Sequence, residues 1–530
     1  MRAGLLSLLL LLALTGTARA DYLNPVLPGN YPDPTVVQVG EDFYASTTSD
    51  RWAPGLPILR SRDLVSWEQI GSAFDVAPRW ATGRRFWAPS LSFTNGRFVL
   101  LFSGLKTPGK FCIGAATAAD PAGPWTEDGP IFCPPGGAID PNLVTREDGT
   151  SWLVYKNQGL GGGLSARPID ANTFDLLGPP TLLIGPDRLF EAGVTEGASL
   201  FQENGTWHLV YSGGGCCRPP CNYVAAVARA PDLLGPWEKR ETPVLVGGPE
   251  WRCPGHGDVL RLTDGSLQYL HHAYDVEDLT NRQRQGVLSP VRIDAEGWPA
   301  IGAPTDSPFA AGTPLISQSS PLSPSAPVAN TSFRDRFTTP ALLPGWQWQI
   351  RRALPEVETG DRRLRLRCGE VSGLVTRQVG AERFSLAVTV QPTRGKTLPA
   401  LVVRDNGGTL RGVELTPRGV RSIRRRGGEI RLGRNIAVPR KRSVRLRVTV
   451  APGGNIATYV STRGGTRRVP EGEAAYGGGP TRIGLTCRGG GTGVFSDLRL
   501  AGDGTTPVAV PAVAPLEPLP EDLLPPPPGR

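Results

Sequence analysis

The chain repeats one short pattern five times, with turn glycines 53 to 60 residues apart. In each copy a segment runs into an apolar strand, reaches the glycine, and continues into a second aromatic or apolar strand. The first strands are Asp33-Pro-Thr-Val-Val before Gly40, Ala88-Pro-Ser-Leu-Ser before Gly96, Asp140-Pro-Asn-Leu-Val before Gly149, Glu196-Gly-Ala-Ser-Leu before Gly205, and His256-Gly-Asp-Val-Leu before Gly265. Strand-turn-strand content at this period predicts a radial array of small sheets, a β-propeller.

Four of the five copies begin with an ionisable residue. Equivalent positions of a propeller meet around its axis, so Asp33, Asp140, Glu196 and His256 are expected to converge on one site, and Ala88 marks the copy without an ionisable group. Asp-Pro at a strand start is by itself a common turn element, and a lone glutamate is often a solvated charge. The coincidence of three acids and a histidine at one repeat position favours catalysis.

The first 20 residues read as a targeting segment. Arg2 precedes a Leu-rich stretch, and Ala18-Arg-Ala20 has the small-x-small form of a cleavage site. We therefore predict a secretory signal peptide over residues 1–20. The apolar run is short for a membrane span, and no other stretch of the sequence is long and apolar enough for one.

The remaining chain divides by composition into four parts. Residues 21–310 carry the five repeats, and residues 311–331 are a linker rich in Ser, Pro and Ala. Residues 332–501 show period-two alternation, as in Leu364-Arg-Leu-Arg367, which predicts an antiparallel β-sandwich. The Pro-rich tail, residues 502–530, is expected to lack a packed core. The fold class is therefore all-β.

Eight cysteines in a chain with a signal peptide predict disulfides. Their spacing favours Cys112–Cys133 and Cys368–Cys487. The group Cys216, Cys217, Cys221 and Cys253 allows three pairings, and sequence does not choose among them. A zinc site is the alternative for this group, although the adjacent pair lacks the usual C-x2-C spacing.

The charge is unevenly distributed along the chain. Residues 331–500 hold 32 Lys and Arg against 12 Asp and Glu, a net +20, which leaves −11 for the rest of a chain whose total is +9. The basic part could bind an anionic glycan, a cell surface or nucleic acid, or have no specific partner. No aromatic-plus-basic RNA motif is present, so we expect no nucleic acid. The oligomeric state is open.

Three carboxylates around one axis suit glycosidic bond hydrolysis. One carboxyl group protonates the leaving oxygen, and in an inverting enzyme a second deprotonates water from about 6.5–9.5 Å away. The third can tune the pKa of the acid through its charge. Aromatic faces bind sugar rings, which makes Trp52, Trp80 and above all Trp87 candidate platforms.

Several short motifs resemble glycoside hydrolase family 43 over roughly residues 24–305. They are Asn30-Tyr-Pro-Asp-Pro34, Phe86-Trp-Ala-Pro89, Ile139-Asp-Pro141, Thr195-Glu-Gly197 and Pro254-Gly-His256. This resemblance implies a five-bladed propeller and inversion at the anomeric carbon. The region from Phe333 is similar to the concanavalin-like β-sandwich often appended to such hydrolases.

The resemblance also implies roles for individual residues. Asp33 would be the general base, Asp140 the orienting pKa modulator and Glu196 the general acid. His256 would lie at the pocket floor, help to bind substrate and help to hold a calcium ion, with no cofactor needed for the chemistry. An arginine, either Arg282 or Arg284, would reach into the substrate-binding pocket beside Trp87.

The sequence thus predicts a secreted inverting hydrolase of plant-type polysaccharides or oligosaccharides, an α-L-arabinofuranosidase by family analogy. A β-xylosidase or a galactan-acting exo-glycosidase is the alternative within the class. Two hypotheses belong to other classes: a catalytically silent glycan-binding propeller, and a lectin-like or nucleic-acid-binding protein driven by the basic region. The presence of all three acids argues against the silent propeller.

Overall fold

The computed structural model describes residues 22–304, apart from 108, 160–161, 218–219 and 278–282, and most of residues 332–502. The gaps in the second range are 351–353, 370–372, 382, 393–394, 406, 440, 452–453 and 471–480. The predicted signal peptide, nearly all of the linker and nearly all of the Pro-rich tail lie outside the described residues. Within them the chain is all-β, with a single 3-10 turn at Leu189–Glu191 and no α-helix.

Five four-stranded antiparallel sheets follow one another along the chain and form the propeller. Blade 1 contains β1 (Thr35–Val39), β2 (Asp42–Ser46), β4 (Gly55–Ser61) and β5 (Trp67–Phe74), while the intervening β3 (Trp52–Ala53) joins a sheet elsewhere. Blade 2 contains β6 (Phe86–Thr94), β7 (Arg97–Thr107), β8 (Lys110–Ala118) and β9 (Thr126–Phe132). Blade 3 contains β10 (Ala138–Thr145), β11 (Ser151–Asn157), β12 (Leu164–Ile169) and β13 (Thr181–Ile184).

The last two blades complete the ring with the same strand order. Blade 4 contains β14 (Glu196–Glu203), β15 (Thr206–Gly213), β16 (Val224–Ala230) and β17 (Glu238–Lys239). Blade 5 contains β18 (Trp251–Arg261), β19 (Leu267–Asp275), β20 (Gln285–Ile293) and β21 (Pro299–Ile301). The predicted five-bladed propeller is confirmed, and each turn glycine of the repeat joins the first two strands of its blade.

The apolar second strands are buried on both faces because each blade packs between two others. In β7, Phe98 and Phe102 belong to a cluster with residues of blade 1, whereas Val99 and Leu101 pack with residues of blade 3. Successive side chains of a strand point to opposite faces. A continuous apolar run is therefore what a strand between two neighbours requires, rather than apolar-polar alternation.

The segment before β1 closes the ring by lying against blade 5. Leu27 forms an isolated antiparallel bridge with Gly286 of β20. The buried Asn24 side chain donates to the carbonyl of Leu288 at 3.0 Å and accepts from its N–H at 2.9 Å, and Tyr22 donates to the same carbonyl. The Asn24 amide, the Tyr22 hydroxyl and the Leu27 bridge thus join the start of the propeller to its last blade.

Residues beyond 332 form two facing eight-stranded sheets, in agreement with the predicted sandwich. One sheet contains β22 (Phe333–Asp335), β24 (Val357–Gly360), β25 (Arg363–Arg367), β27 (Phe384–Val390), β32 (Val444–Val450), β33 (Ile456–Thr462), β34 (Gly465–Val469) and β36 (Thr492–Gly502). The other contains β3, β23 (Trp346–Gln349), β26 (Leu374–Gln378), β28 (Leu398–Arg404), β29 (Leu410–Thr416), β30 (Gly419–Arg426), β31 (Glu429–Leu432) and β35 (Arg482–Arg488). A single apolar cluster fills the space between the sheets.

Strand β3 joins the two domains, because it lies within the propeller region but pairs with β23 of the sandwich. Its Trp52 ring has the guanidinium groups of Arg482 and Arg404 at 3.7 and 4.8 Å from its centroid. Near the axis, Gln378 of β26 accepts from the N–H of Asn30 at 2.8 Å and donates to its carbonyl at 3.1 Å. The sandwich therefore contacts the segment that leads into Asp33.

All eight cysteines are paired. Cys112–Cys133 and Cys368–Cys487 are confirmed, and the group of four forms Cys216–Cys217 and Cys221–Cys253. The zinc alternative for that group is wrong, since all four sulfurs are in disulfides.

In the described part of the chain, no helix has the length and apolar character that a membrane crossing requires.

Candidate active site

The inner strand of every blade has a residue with positive φ at or near its start, and blade 5 has a second one, Cys253 (φ 53°). Blades 2 to 5 have a β-bulge there. The residues are Asp33 (φ 54°), Ala88 (φ 41°), Asp140 (φ 55°), Gly197 (φ 62°) and His256 (φ 44°). A bulge redirects the side chain of the extra residue, so Ala88, Asp140 and His256 aim a β-carbon away from the regular pleat. Asp33 has the same positive φ just before β1.

Blade 4 departs from the predicted register by one residue. The repeat aligned Glu196 with Asp33 and Asp140, but the bulged residue is Gly197, and Glu196 is paired with Ser212 immediately before the bulge. Gly197 has a physical reason to be glycine, because a β-carbon there would lie 2.7 Å from the His256 ring. The glutamate side chain consequently leaves the strand one position earlier than the two aspartates.

A ring of hydrogen bonds confirms this register. The backbone N–H of each of these five residues donates to a side chain of the preceding blade. Thr48, the acceptor for Ala88, lies in the loop after the second strand of blade 1. The bonds are Asp33 to His272 Nδ1 (3.2 Å), Ala88 to Thr48 Oγ1 (2.7 Å), Asp140 to Ser103 Oγ (2.9 Å), Gly197 to Asp140 Oδ2 (3.3 Å) and His256 to Ser212 Oγ (2.9 Å). Five non-repetitive backbone donors are satisfied in this way, which fixes the blades around the axis.

Asp33 is buried among cations and donors. Arg284 Nη1 lies 2.6 Å from its Oδ1, Thr48 donates to Oδ2 at 2.6 Å, and Nδ1 atoms of His256 and His272 lie 3.4 and 3.3 Å from Oδ1. Burial alone would raise the pKa of Asp33, but Arg284, the two histidines and the Thr48 hydrogen bond outweigh it and hold the pKa well below its usual range. The carboxylate is therefore a permanently ionised acceptor.

Asp140 lies within electrostatic reach of both other acids. Burial, together with the negative charges of Glu196 and Asp33, raises the pKa of Asp140 to about 6, although His256 and Lys156 act in the opposite direction. Its Oδ2 accepts the N–H of Gly197, the residue after Glu196. Asp140 thus couples electrostatically to both acids and binds the backbone that carries Glu196.

Glu196 is held by two partners from blades 3 and 4. Lys156 Nζ donates to its Oε2 at 2.6 Å, and the hydroxyl of Tyr223 donates to its Oε1 at 2.9 Å. The Glu196 side chain keeps 14% of its surface exposed, against 8% for Asp33. It is the more open of these two carboxylates.

Arg282 lies outside the described residues, and the structure places Arg284 against Asp33. The backbone N–H of Arg284 donates to the side-chain oxygen of Asn30. This bond links the start of β20 to the segment that carries Asp33. The sequence left the two arginines undecided.

The predicted calcium ligand His256 faces Asp33. The described residues contain no group of three or more histidine, cysteine, aspartate or glutamate side chains arranged to hold a metal ion. The Asp33 oxygen nearest His256 is already paired with Arg284, whose positive charge opposes a bound cation. A calcium ion at His256 is therefore unconfirmed and stays a prediction.

The three candidate sugar platforms have different surroundings. Trp87 donates to Asp50 at 2.8 Å, Phe111 stacks on its ring at 4.1 Å, and Arg85 lies 4.9 Å from its centroid. Trp80 packs inside blade 2 on Phe102. Trp52 belongs to the domain interface described above, where two guanidinium groups lie near its ring, and its role as a platform stays a prediction. Trp87 stays the candidate nearest the axis, with part of its ring occupied by Phe111.

Sequence reasoning missed three residues that hold the carboxylates. Lys156 ends β11, Tyr223 precedes β16 and His272 lies within β19. His271, its neighbour in the same strand, is buried, and its Nε2 contacts Ser289 Oγ. His272 could have been predicted from its position in the second strand of its blade. Ser103 and Ser212 occupy the equivalent position in their blades and make the equivalent hydrogen bond.

Comparison with known proteins agrees with this geometry. The family profile described as Glycosyl hydrolases family 43 matches residues 22–299, more than half of the chain. A Xylan 1,3-beta-xylosidase from Vibrio sp is 28% identical over 360 residues, which cover 60% of this chain and 63% of that protein. A Non-reducing end alpha-L-arabinofuranosidase from Bacteroides ovatus is 27% identical over 308 residues, 54% of either chain. The chain thus spans between half and two thirds of these two curated relatives.

Solved structures share the fold across both domains. The xylan beta-1,4-xylosidase from Bacillus halodurans C-125 superposes with a TM-score of 0.76 at 22% identity, over 91% of this chain and 100% of that one. A Bacteroides ovatus protein from a xyloglucan PUL gives a TM-score of 0.73 at 22% identity, over 91% and 98%. Identity this low supports the architecture alone. Because the family profile covers more than half of a chain that folds as a five-bladed propeller, the protein belongs to glycoside hydrolase family 43.

Proposed function

We propose that the protein is an inverting glycoside hydrolase in which Asp33 is the general base, Glu196 the general acid and Asp140 the residue that orients and tunes the acid. The observation that carries this proposal is the contrast between the carboxylates. Asp33 is kept ionised by Arg284 and buried histidines, whereas Asp140, coupled to both other acids, has a raised pKa of about 6. Environments that push the pKa values of neighbouring acids apart are what acid-base division of labour requires.

The reaction then needs no group beyond these side chains and water. Water attacks the anomeric carbon while Asp33 accepts its proton, and the glycosidic C–O bond breaks as Glu196 gives its proton to the leaving oxygen. The sugar is released with inverted configuration, and the two carboxyl groups return to their starting state after exchanging a proton with solvent. Arg284 and Asp140 stay in place and supply charge and orientation.

For the substrate we propose a terminal α-L-arabinofuranosyl or β-D-xylosyl unit of a plant-type polysaccharide or oligosaccharide. The relatives above carry both names, and β-xylosidase activity fits them as well as arabinofuranosidase activity does. A galactan-acting exo-glycosidase has no support from those names. The glycan-binding propeller without catalysis would need no base held ionised by an arginine, which makes it the weaker proposal.

The proposal is tested with nitrophenyl and dinitrophenyl glycosides of both sugars. Asp33→Asn should lose at least about 10³-fold in kcat on all of them, since the water loses its base. Glu196→Gln should lose much less on dinitrophenyl than on nitrophenyl glycosides, because a good leaving group needs little protonation. Glu203→Gln, on the same strand but paired with Arg261 on the surface, is the matched control. Full activity of either active-site variant would contradict the assignment.

We propose in addition that the protein acts outside the cytoplasm and that its sandwich domain binds anionic glycans. Four disulfides are typical of an oxidising compartment. On the sandwich, Arg411, Arg424 and Arg431 occupy directly opposed positions on three neighbouring strands. Such a row of like charges is stabilised by an anionic partner.

Binding to polygalacturonate tests the proposal that the sandwich domain binds anionic glycans. The wild-type protein should bind with an affinity that falls steeply with salt, and Arg424→Ser with Arg431→Ser should weaken binding and reduce the salt slope. Arg362→Ser with Arg363→Ser, exposed on the other sheet, removes the same charge elsewhere and is the control. Equal losses in both double variants would mean that net charge, not this row, attracts the polymer.

A further inference from the structure

The four cysteines near residue 220 surround a residue that contacts Glu196. Cys216, Cys217 and Cys221 belong to the connection between β15 and β16, which ends at Tyr223. Cys216 and Cys217 are bonded to each other, and Cys221 is bonded to Cys253 of β18. We call this segment, residues 214–217 and 220–223, the cysteine-bridged loop.

Tyr223 lies where the cysteine-bridged loop meets the carboxylates. It is 1% exposed, and its hydroxyl donates to Glu196 Oε1 at 2.9 Å. Its ring stacks on His272, with centroids 5.7 Å apart and planes 8° from parallel, and His272 in turn contacts Asp33. One aromatic ring therefore connects the residue proposed as acid with the histidine that supports the base.

The disulfides enclose the Tyr223 ring. Tyr223, Cys253 and Tyr274 form a small buried cluster, and Cys216 and Cys221 pack against it. On another side the ring lies on the backbone of Gly255, where a β-carbon would approach it to 2.7 Å. The packed sulfurs and this close backbone contact leave the phenol no alternative rotamer without displacing its neighbours.

We propose, on the basis of the function proposed above, that Tyr223 is a positioning residue for Glu196 and that the bridges Cys216–Cys217 and Cys221–Cys253 hold its hydroxyl against the carboxylate. The hydroxyl orients Glu196 toward the leaving oxygen and stabilises its ionised form after proton donation. The cysteine-bridged loop is thus part of the proton-donating apparatus, whereas Cys368–Cys487 serves the sandwich alone.

Tyr223→Phe tests the hydrogen bond with the ring retained. A hydrogen bond to a charged group is lost, so kcat/KM for a nitrophenyl glycoside should fall about tenfold to a hundredfold. The loss should shrink with a dinitrophenyl leaving group, and the alkaline limb of the pH–rate profile should move to higher pH. A lower melting temperature with equal loss on both leaving groups would show a merely structural role and overturn the proposal.

The bridges are tested by Cys221→Ala with Cys253→Ala, compared with Cys368→Ala with Cys487→Ala. The first pair should reproduce the leaving-group dependence and the shifted alkaline limb, and the second should leave both unchanged. Wild-type behaviour of Tyr223→Phe, in a protein that Glu196→Gln inactivates, would overturn this inference and spare the proposed function. A wild-type protein inactive on every glycoside would overturn both.

Discussion

At the scale of single residues, each of the three carboxylates is held by partners from other strands. Asp33 and Asp140 recur at one position of the repeat and share a positive φ there, and Asp140 also lies at a bulge. Lys156 and Tyr223 reach Glu196 from the ends of other strands. Their local sequence does not predict this contact, because it depends on the angle between blades.

Glu196 shows why a repeat can be correct and its register wrong by one. Glycine accepts positive φ without the cost that a β-carbon brings, so Gly197 takes the bulge and the carboxylate moves to the preceding residue. Sequence alignment by ionisable residue cannot register this shift, since it follows from backbone conformation and from the nearby His256 ring.

Asp140 predicts the acid limb of the pH profile. Its pKa is raised to about 6, so below that pH it binds a proton and kcat/KM should fall as the pH decreases through about 6. The charge of Lys156 lowers this pKa, so Lys156→Met should move the limb to higher pH, by about one unit. In Asp140→Asn the residual activity should show no inflection there.

The measurement is kcat/KM from pH 4 to 8, with Lys396→Met, an exposed lysine of the sandwich, as control. An unchanged acid limb in Lys156→Met would assign the inflection to a different group. Asp33 is excluded as its source, because its pKa lies far below this range.

At the scale of the elements, the hydrophobic runs predicted the strands because each blade is covered on both faces. The closing segment at residues 22–31 was not predicted. It forms no strand of a blade, and it makes its contacts through one buried asparagine, one tyrosine and an isolated bridge. Contacts made by isolated polar side chains, instead of by a strand, produce no periodic pattern in the sequence.

Asn24→Ala should destabilise the propeller by about 1–3 kcal/mol, since the N–H and carbonyl of Leu288 lose their buried partner. Chemical unfolding followed by tryptophan fluorescence measures the change. Asn172→Ala, at an exposed turn, is the control and should stay within about 0.5 kcal/mol of the wild type. A similar loss in both variants would mean that the closing contact adds nothing specific.

At the scale of the whole molecule, composition marks the boundary between the domains, but one strand of the repeat region belongs to a sheet of the sandwich. Composition separates an acidic repeat region from a basic alternating one, yet Trp52 and Ala53 of the repeat region form the edge strand of a sandwich sheet. Trp52, predicted as a sugar platform, therefore lies at the domain interface, and its role as a platform stays a prediction. Its partners, Arg404 and Arg482, follow it by more than 350 residues.

Trp52→Ala should loosen the junction between the domains. Removing a ring contacted by two guanidinium groups costs about 1–3 kcal/mol, and the single calorimetric transition expected of the wild type should split in two. Trp298→Ala, which removes a ring stacked by one arginine within the propeller, is the control and should shift the transition without splitting it. A single transition in Trp52→Ala would show that other contacts couple the domains.

The closing segment also sets an order of events during synthesis. Residues 22–31 leave the ribosome before any of the blades, but their partners in β20 follow some 260 positions later. Strand β3 has to wait even longer for β23. Such distant pairings make folding slow and keep early strands exposed meanwhile. The nascent chain is therefore most in need of chaperone protection before its fifth blade emerges, when four sheets exist and the ring is still open.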